Sequence, residues 1–149
     1  MSSVLQYINQ LSNLDPQIRI DSTNSILSVL KKAESEMANN QRSEVMKYVL
    51  NRIVKSLASS HDCAREGTLL CLITLLETFP AIQESEIIQI ATVNFTISGN
   101  THQNLRDVLL GKLCACLALI KAKRVSEKET VEWIFKTISV IVNKKSFLV

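Results

Sequence analysis

The sequence has few residues that interrupt regular secondary structure: three glycines and two prolines among 149 residues. Aromatic residues are also scarce at 5%, whereas hydrophobic residues make up 46% of the chain. A chain with this much apolar side-chain area can bury a core, which argues against intrinsic disorder. The shortage of aromatic residues, set against abundant leucine, isoleucine and valine, favours packed helices over a β-sandwich.

The sequence also lacks a strong excess of charge, since its formal net charge is only +3. That value does not by itself indicate nucleic-acid binding, and short groups of lysines are typical of a solvated helix surface. No apolar run reaches the roughly 20 residues that span a bilayer, and polar residues interrupt the first helix early. We therefore expect neither a membrane segment nor a signal peptide.

Motifs that carry chemistry are missing as well. The cysteines at positions 63, 71, 114 and 116 form no Cys-x-x-Cys pair, and neither histidine has ligand spacing, so we expect reduced thiols and no metal site. Gly67 and Gly111 stand alone inside helical patterns, which is typical of close helix approach and not of a phosphate-binding loop. We predict no catalytic residues, no cofactor and no enzymatic activity.

Apolar residues recur at helical spacing along nearly the whole chain and predict about seven helices. The predicted ranges are 4–11, 16–37, 43–57, 62–78, 85–97, 103–122 and a last helix after residue 126 that carries Val131, Ile134, Phe135, Ile138 and Ile141. Asp15 followed by Pro16 predicts a capped helix start, and Ser126 with Glu129 predicts a capping box. Residues 92–97 read equally well as a strand.

An internal repeat appears when the helices near positions 16, 60 and 103 are compared. Arg19, Arg65 and Arg106 are each followed seven and eleven residues later by aliphatic residues, which places both aliphatics on one helix face. The aliphatic pairs are Ile26 and Leu30, Leu72 and Leu76, and Leu113 and Leu117. Two helices per 40–47 residues predict one all-α domain over residues 1–149, a right-handed stack of antiparallel helix pairs of the HEAT/armadillo type. An irregular helical bundle is the alternative.

Five basic residues are candidates for contacts within or outside this stack. Arg19, Arg65 and Arg106 lie near successive helix starts. We interpret them as links between repeats, to helix ends or to acids such as Asp62, and the alternative is a ridge that contacts phosphate or an acidic partner. Arg52 and Lys55 continue the third helix toward residues 59–60 and place positive charge on an outer rim.

Residues 48–67 resemble a known N-terminal signature. It reads Tyr-x-Leu-x-Arg-Leu-x-x-Gly-Leu-x-Ser-Ser-Arg-x-x-Ala-Arg-x-Gly in the Myb-binding protein 1A family, which includes fungal proteins named DNA polymerase V or phi. Residues 11–30, 69–77, 111–120 and 144–148 are similar to further pieces of the family in the same order. The sequence departs from the signature at Ser56, His61, Glu66 and Thr68.

The resemblance implies an N-terminal fragment of a much larger protein of the nucleus and nucleolus. Such a protein would act in rRNA gene transcription and ribosome biogenesis, through a helical-repeat scaffold that binds proteins or ribonucleoprotein. Nucleic-acid binding by this fragment is expected to be weak. Two alternatives stay open: a HEAT/armadillo adaptor in transport or coat assembly, and a DNA-binding or polymerase-associated module.

Overall fold

The structure is a computed structural model that describes residues 2–39, 41–95 and 102–144. These residues form seven helices and no β-strand. The helices are α1 (Ser2–Gln10), α2 (Pro16–Ser35), α3 (Glu44–Ser56), α4 (Asp62–Thr78), α5 (Glu84–Asn94), α6 (His102–Lys121) and α7 (Lys128–Asn143). The prediction of an all-α fold with about seven helices is confirmed over the described part of the chain.

The local sequence correctly predicted the start of α2 and left the end of α5 open. The Asp15 carboxylate accepts a hydrogen bond from the backbone N–H of Gln17, and Pro16 occupies the first turn, as predicted. Helix α5 continues through Asn94, so the strand alternative is wrong for residues 92–94, while residues 96–97 lie outside the described residues.

The predicted capping box at the start of α7 is wrong. The helix begins at Lys128 after Glu127, and no side chain of its own first turn caps it. The backbone N–H and the hydroxyl of Ser126 instead donate to the carboxylate of Glu84, which belongs to α5. A buried carboxylate from a neighbouring helix has displaced the local capping arrangement.

The helices pack in two layers. Along one layer α2 contacts α4 and α4 contacts α6, and along the other α3 contacts α5 and α5 contacts α7. Contacts of α3 with α4, and of α5 with α6, join the layers, and α1 packs on α2. This order agrees with a stack of helix pairs, each burying its apolar face against the next. The right-handed sense of the stack stays a prediction.

The central helices are buried across a wide face. In α3 and α4 the buried positions come as neighbours within a turn: Val49 with Leu50, Ile53 with Val54, Cys71 with Leu72, and Leu75 with Leu76. A fully buried aliphatic side chain stabilises the fold by about 1.5–3 kcal/mol. The interior of the stack therefore depends on helices that have apolar neighbours on two sides.

Glu84 connects α5 to the start of α7. Its carboxylate accepts from the Ser126 N–H at 2.6 Å, the Ser126 hydroxyl at 2.9 Å, the Glu127 N–H at 3.1 Å and the Thr130 hydroxyl at 2.6 Å. It thereby supplies partners for the open N-terminal end of α7. Burial alone would raise the pKa of Glu84, but these hydrogen bonds from Thr130, Ser126 and Glu127 outweigh it, and the pKa is lowered.

Two arginines hold the turn between α4 and α5. The Arg124 guanidinium donates to the carbonyls of Leu76 at 3.1 Å, Phe79 at 2.8 Å and Ile82 at 2.8 Å. From before α3, Arg42 donates to the carbonyl of Ala81 at 2.9 Å and pairs with Glu86. Since the last carbonyls of a helix lack partners within it, these arginines satisfy groups that burial would otherwise leave unpaired.

Gly67 of α4 lies against Leu11, the residue that follows α1. A Cβ atom at this position would sit 1.8 Å from the carbonyl oxygen of Leu11, so no side chain fits without a backbone shift. At Gly111 a Cβ atom would be 3.0 Å from the Cβ of Ala58 and 3.1 and 3.2 Å from its Cα and backbone nitrogen, which needs a smaller shift than the clash at Gly67. Each glycine lets the turn that follows a helix, α1 or α3, approach α4 or α6 closely, whereas the sequence predicted close approach of two helices.

Replacing Glu84 tests its capping role. Glu84→Gln is expected to lower the free energy of unfolding at neutral pH by about 1–3 kcal/mol. The amide nitrogen of glutamine cannot accept hydrogen bonds, so some of the donors that now bind the carboxylate would lose their acceptor. The pKa of Glu84 is lower in the folded state than in the unfolded state. The stability that this carboxylate contributes is therefore fully present above its unfolded-state pKa and is lost as pH falls through its folded-state pKa. Urea unfolding across acid pH should show a shallower loss in the variant.

The matched control is Glu129→Gln, at an exposed acidic residue in the first turn of α7. It should cost no more than a few tenths of a kcal/mol through the helix dipole. Equal effects of the two substitutions, with the same pH dependence, would contradict the capping role of Glu84.

Gly67→Ala is expected to be clearly more destabilising than Gly111→Ala. Alanine gains about 1 kcal/mol of helix propensity at either site. At Gly67 the clash with the Leu11 carbonyl should more than offset that gain, with a net loss of about 1–3 kcal/mol. Thermal or urea unfolding of both variants measures the difference, and equal stability would show that the Leu11 carbonyl does not lie against Gly67 in this way.

Candidate interaction surface

The described residues offer little reactive chemistry. They contain no group of three His, Cys, Asp or Glu side chains that could hold a metal ion, and no helix among them is long and apolar enough to cross a membrane. The four cysteines are free thiols. Burial raises the pKa of Cys71 to about 12 and that of Cys116 to about 11, which keeps both thiols protonated and unreactive at neutral pH.

Arg19 and Arg65 occupy equivalent positions at the starts of α2 and α4. Each donates to the carbonyl six residues earlier, Arg19 to Asn13 at 2.7 Å and Arg65 to Ser59. Arg19 also pairs with Glu66 of α4 at 3.2 Å, and Arg65 pairs with Asp62. Both side chains are almost completely buried, so their guanidinium groups are engaged by this chain's own carbonyls and carboxylates.

Arg106, the third arginine of the predicted series, is half-buried in α6. The carbonyl that would correspond to those of Asn13 and Ser59 belongs to residue 100, which lies outside the described residues. Equivalence of all three arginines therefore stays a prediction, supported at two of the three positions.

Arg52 and Lys55 lie in a different setting. Both are exposed on α3 and line a groove of about 330 Å³ formed with the end of α1 and the start of α4. We call it the Arg52 groove, and its other lining residues are Ile8, Asn9, Leu11, Ser12, Ser56, Ala58, Ser59, Ala64 and Thr68. No carboxylate is among them. Two cations beside hydroxyl and amide groups are suited to an anionic group of a partner.

A second basic groove lies between α5, α6 and α7. Lys112 and Lys136 line it together with Trp133, and its volume is about 390 Å³. Burial lowers the pKa of Lys112, and the nearby charge of Lys136 lowers it further. Sequence reasoning missed this pair because the two lysines are distant in the chain and meet only when α6 packs against α7.

Helix α7 carries an exposed apolar row that we call the α7 stripe. It consists of Val131, Phe135, Ile138 and Val142, and the Phe135 side chain is 68% exposed. The adjacent row, formed by Thr130, Ile134, Thr137 and Ile141, is buried. Of the five apolar residues that the sequence assigned to this helix, only Ile134 and Ile141 are in the core. Contiguous exposed apolar area of this kind marks interaction sites in folded proteins.

The chain is similar to proteins named as a transcriptional regulator and as Myb-binding proteins. A family model described as DNA polymerase phi matches residues 48–149. The chain is 27% identical over 127 residues to the rDNA transcriptional regulator pol5 of Schizosaccharomyces pombe, 24% over 127 residues to a Myb-binding protein 1A-like protein of Danio rerio, and 26% over 128 residues to Myb-binding protein 1A of Rattus norvegicus.

These matches cover 85% of the chain but only 12%, 10% and 9% of the three relatives, so the chain spans about a tenth of their length. No solved structure matches the chain.

Alanine substitutions separate arginines that hold the fold from those that face outward. Arg65→Ala is expected to lower the free energy of unfolding by about 1–3 kcal/mol, mainly through the lost bond to the Ser59 carbonyl. The pair with Asp62 adds less, because that carboxylate is exposed and screened by water. Arg52→Ala should change stability by less than about 0.5 kcal/mol. Urea unfolding measures both, and the reverse order would contradict these assignments.

Proposed function

The chain belongs to the DNA polymerase phi family, and from this premise we propose that it is a non-enzymatic scaffold within a nuclear factor that acts in rRNA gene transcription and ribosome biogenesis. The observation that carries the proposal is the family match over residues 48–149, together with the similarity to relatives named as an rDNA transcriptional regulator and as Myb-binding proteins. Because the chain spans only about a tenth of those relatives, we assign this activity to a longer polypeptide of which this chain would be the N-terminal part.

Two features of the chain support a binding role. The layered helices present continuous side-chain surfaces, and stacks of this kind commonly bind extended partners. The Arg52 groove adds a site that carries two cations and no lining carboxylate, which is suited to acidic protein segments. We propose that proteins of nucleolar assemblies bind there, while Arg19, Arg65 and Arg106 keep the repeats in register.

The family description contains the word polymerase, yet the relatives' names describe regulation and binding. Nucleotide polymerisation uses grouped carboxylates that hold two metal ions. The described residues hold no cluster of three candidate ligands that would favour this chemistry here. Support for the scaffold role therefore comes from the relatives and the surface together.

Direct nucleic-acid contact is the second candidate function. The groove with Lys112, Lys136 and Trp133 favours it, since lysines can contact phosphates and a tryptophan can stack on a base. The two functions differ in salt response. Each phosphate contact on duplex DNA gives a slope of about −0.9 in the logarithm of affinity against that of salt, whereas binding limited to proteins leaves no such DNA affinity to measure.

The proposed function predicts both a location and a charge requirement. The complete polypeptide that carries this chain should accumulate in the nucleolus and crosslink to rRNA genes in chromatin immunoprecipitation. Charge reversal of Arg52 and Lys55 should reduce that occupancy several-fold without lowering the protein level, because both side chains are exposed.

Charge reversal of Lys31 and Lys32, which are exposed on α2 away from the groove residues, is the matched control and should leave occupancy unchanged. Accumulation on cytoplasmic membranes would contradict the proposal and favour a transport or coat adaptor. Equal loss in both double variants would show that general charge, and not the Arg52 groove, controls recruitment.

A further inference from the structure

Helix α6, the last helix of the layer formed by α2, α4 and α6, exposes a position that is buried in α2 and α4. Leu30 in α2, Leu76 in α4 and Leu117 in α6 occupy the same place in the internal repeat. Leu30 is fully buried and Leu76 is 2% exposed, whereas Leu117 is 40% exposed. The side chain type is constant, so the difference reflects the surroundings of α6.

Helix α7, the last helix of the layer formed by α3, α5 and α7, also exposes apolar positions. After the first turn of α3 and of α4, two neighbouring positions in each turn are buried, such as Ile53 with Val54 and Leu75 with Leu76. In α7 the first member of each pair is buried and the second is exposed, although the second is an aliphatic or aromatic residue every time. These second members form the α7 stripe. Helix α7 thus has the composition of an internal helix and the surroundings of a terminal one.

The other end of the stack is finished differently. Helix α1 packs on α2 and turns its buried residues Val4 and Ile8 inward, while its exposed positions, over the side chains that the structure describes, are the polar residues Ser3, Gln6 and Asn9 and a single apolar residue, Leu5, which is 38% exposed. Terminal repeats of a stacked protein need such a polar outer face to stay soluble. Among the described residues of these two terminal helices, α7 carries a continuous row of exposed apolar side chains and α1 does not.

We propose that the α7 stripe, together with Leu117, is the docking surface for a further helix pair of the same polypeptide. The chain spans about a tenth of the length of its curated relatives, which leaves ample sequence for such a pair. A covalently attached helix also binds at a high effective concentration, which a separate partner lacks. This inference goes beyond the proposed function and holds whether or not the protein acts on rRNA genes.

The stripe itself fits a helix as its occupant. Its members are spaced by four, three and four residues, so they form one continuous row along α7. Such a row is what a neighbouring helix covers when side-chain ridges pack into grooves. The flanking exposed residues Glu132 and Lys136 provide a polar border.

Hydrogen–deuterium exchange of the 149-residue chain and of the complete polypeptide tests the proposal. The backbone amides of α7 should exchange at least tenfold more slowly in the complete polypeptide, because a docked helix pair suppresses local opening. Phe135→Gln should remove most of that added protection. Val93→Gln is the matched control, since Val93 on α5 is 69% exposed and lies outside the stripe, and it should leave the protection intact.

In the 149-residue chain neither substitution should shift the urea midpoint, which verifies that both variants fold. Equal exchange of α7 in the two proteins would overturn the proposal. So would a 149-residue chain that dimerises through Phe135 and gains no further protection in the complete polypeptide, since the occupant would then be a second copy. A complete polypeptide that ends near residue 149 would overturn it as well.

Discussion

A helix with apolar residues on two adjacent faces cannot bury both against a single neighbour, and the structure of this chain follows from that constraint. Helices α3 and α4 satisfy it because each is packed between other helices on two sides. Helix α1 has one buried row and a mostly polar remainder, so it can end the stack. Helix α7 buries a row of threonines and isoleucines and leaves an adjacent apolar row exposed, which makes this end of the chain suited to binding.

Polar groups are arranged to permit this packing. Stacked helices bring their ends close together, where carbonyl and N–H groups lack partners within the helix. Arg19, Arg65 and Arg124 donate to carbonyls at the ends of helices or in the turns between them, and Glu84 accepts from the start of α7. These long side chains link successive elements, which leaves exposed cations such as Arg52 and Lys55 available to a partner.

The features that the sequence predicted correctly are those that depend on residues close together in the chain. Apolar periodicity located all seven helices, and Asp15 with Pro16 defined the start of α2, because these signals act within a few residues. The partners of Glu84 lie more than 40 positions away, and a local pattern around Ser126 pointed to the wrong cap. The proximity of Lys112 to Lys136 could not be predicted for the same reason, since the two residues are distant in the chain. The sequence predicted the two cations of the Arg52 groove but not the groove itself. The residues of α1 that line it come close to α3 only in the folded structure.

Crosslinking mass spectrometry of the complete polypeptide tests the central claim most directly, that this chain is one section of a longer helical stack. Lys128, Lys136 and Lys144 lie on α7 or at its end, next to the α7 stripe. We expect them to crosslink mainly to lysines that follow residue 149 in the same molecule, while Lys31 and Lys32 on α2 do not. Crosslinks from α7 confined to residues 1–149, or formed mainly between two copies, would contradict a continuous stack.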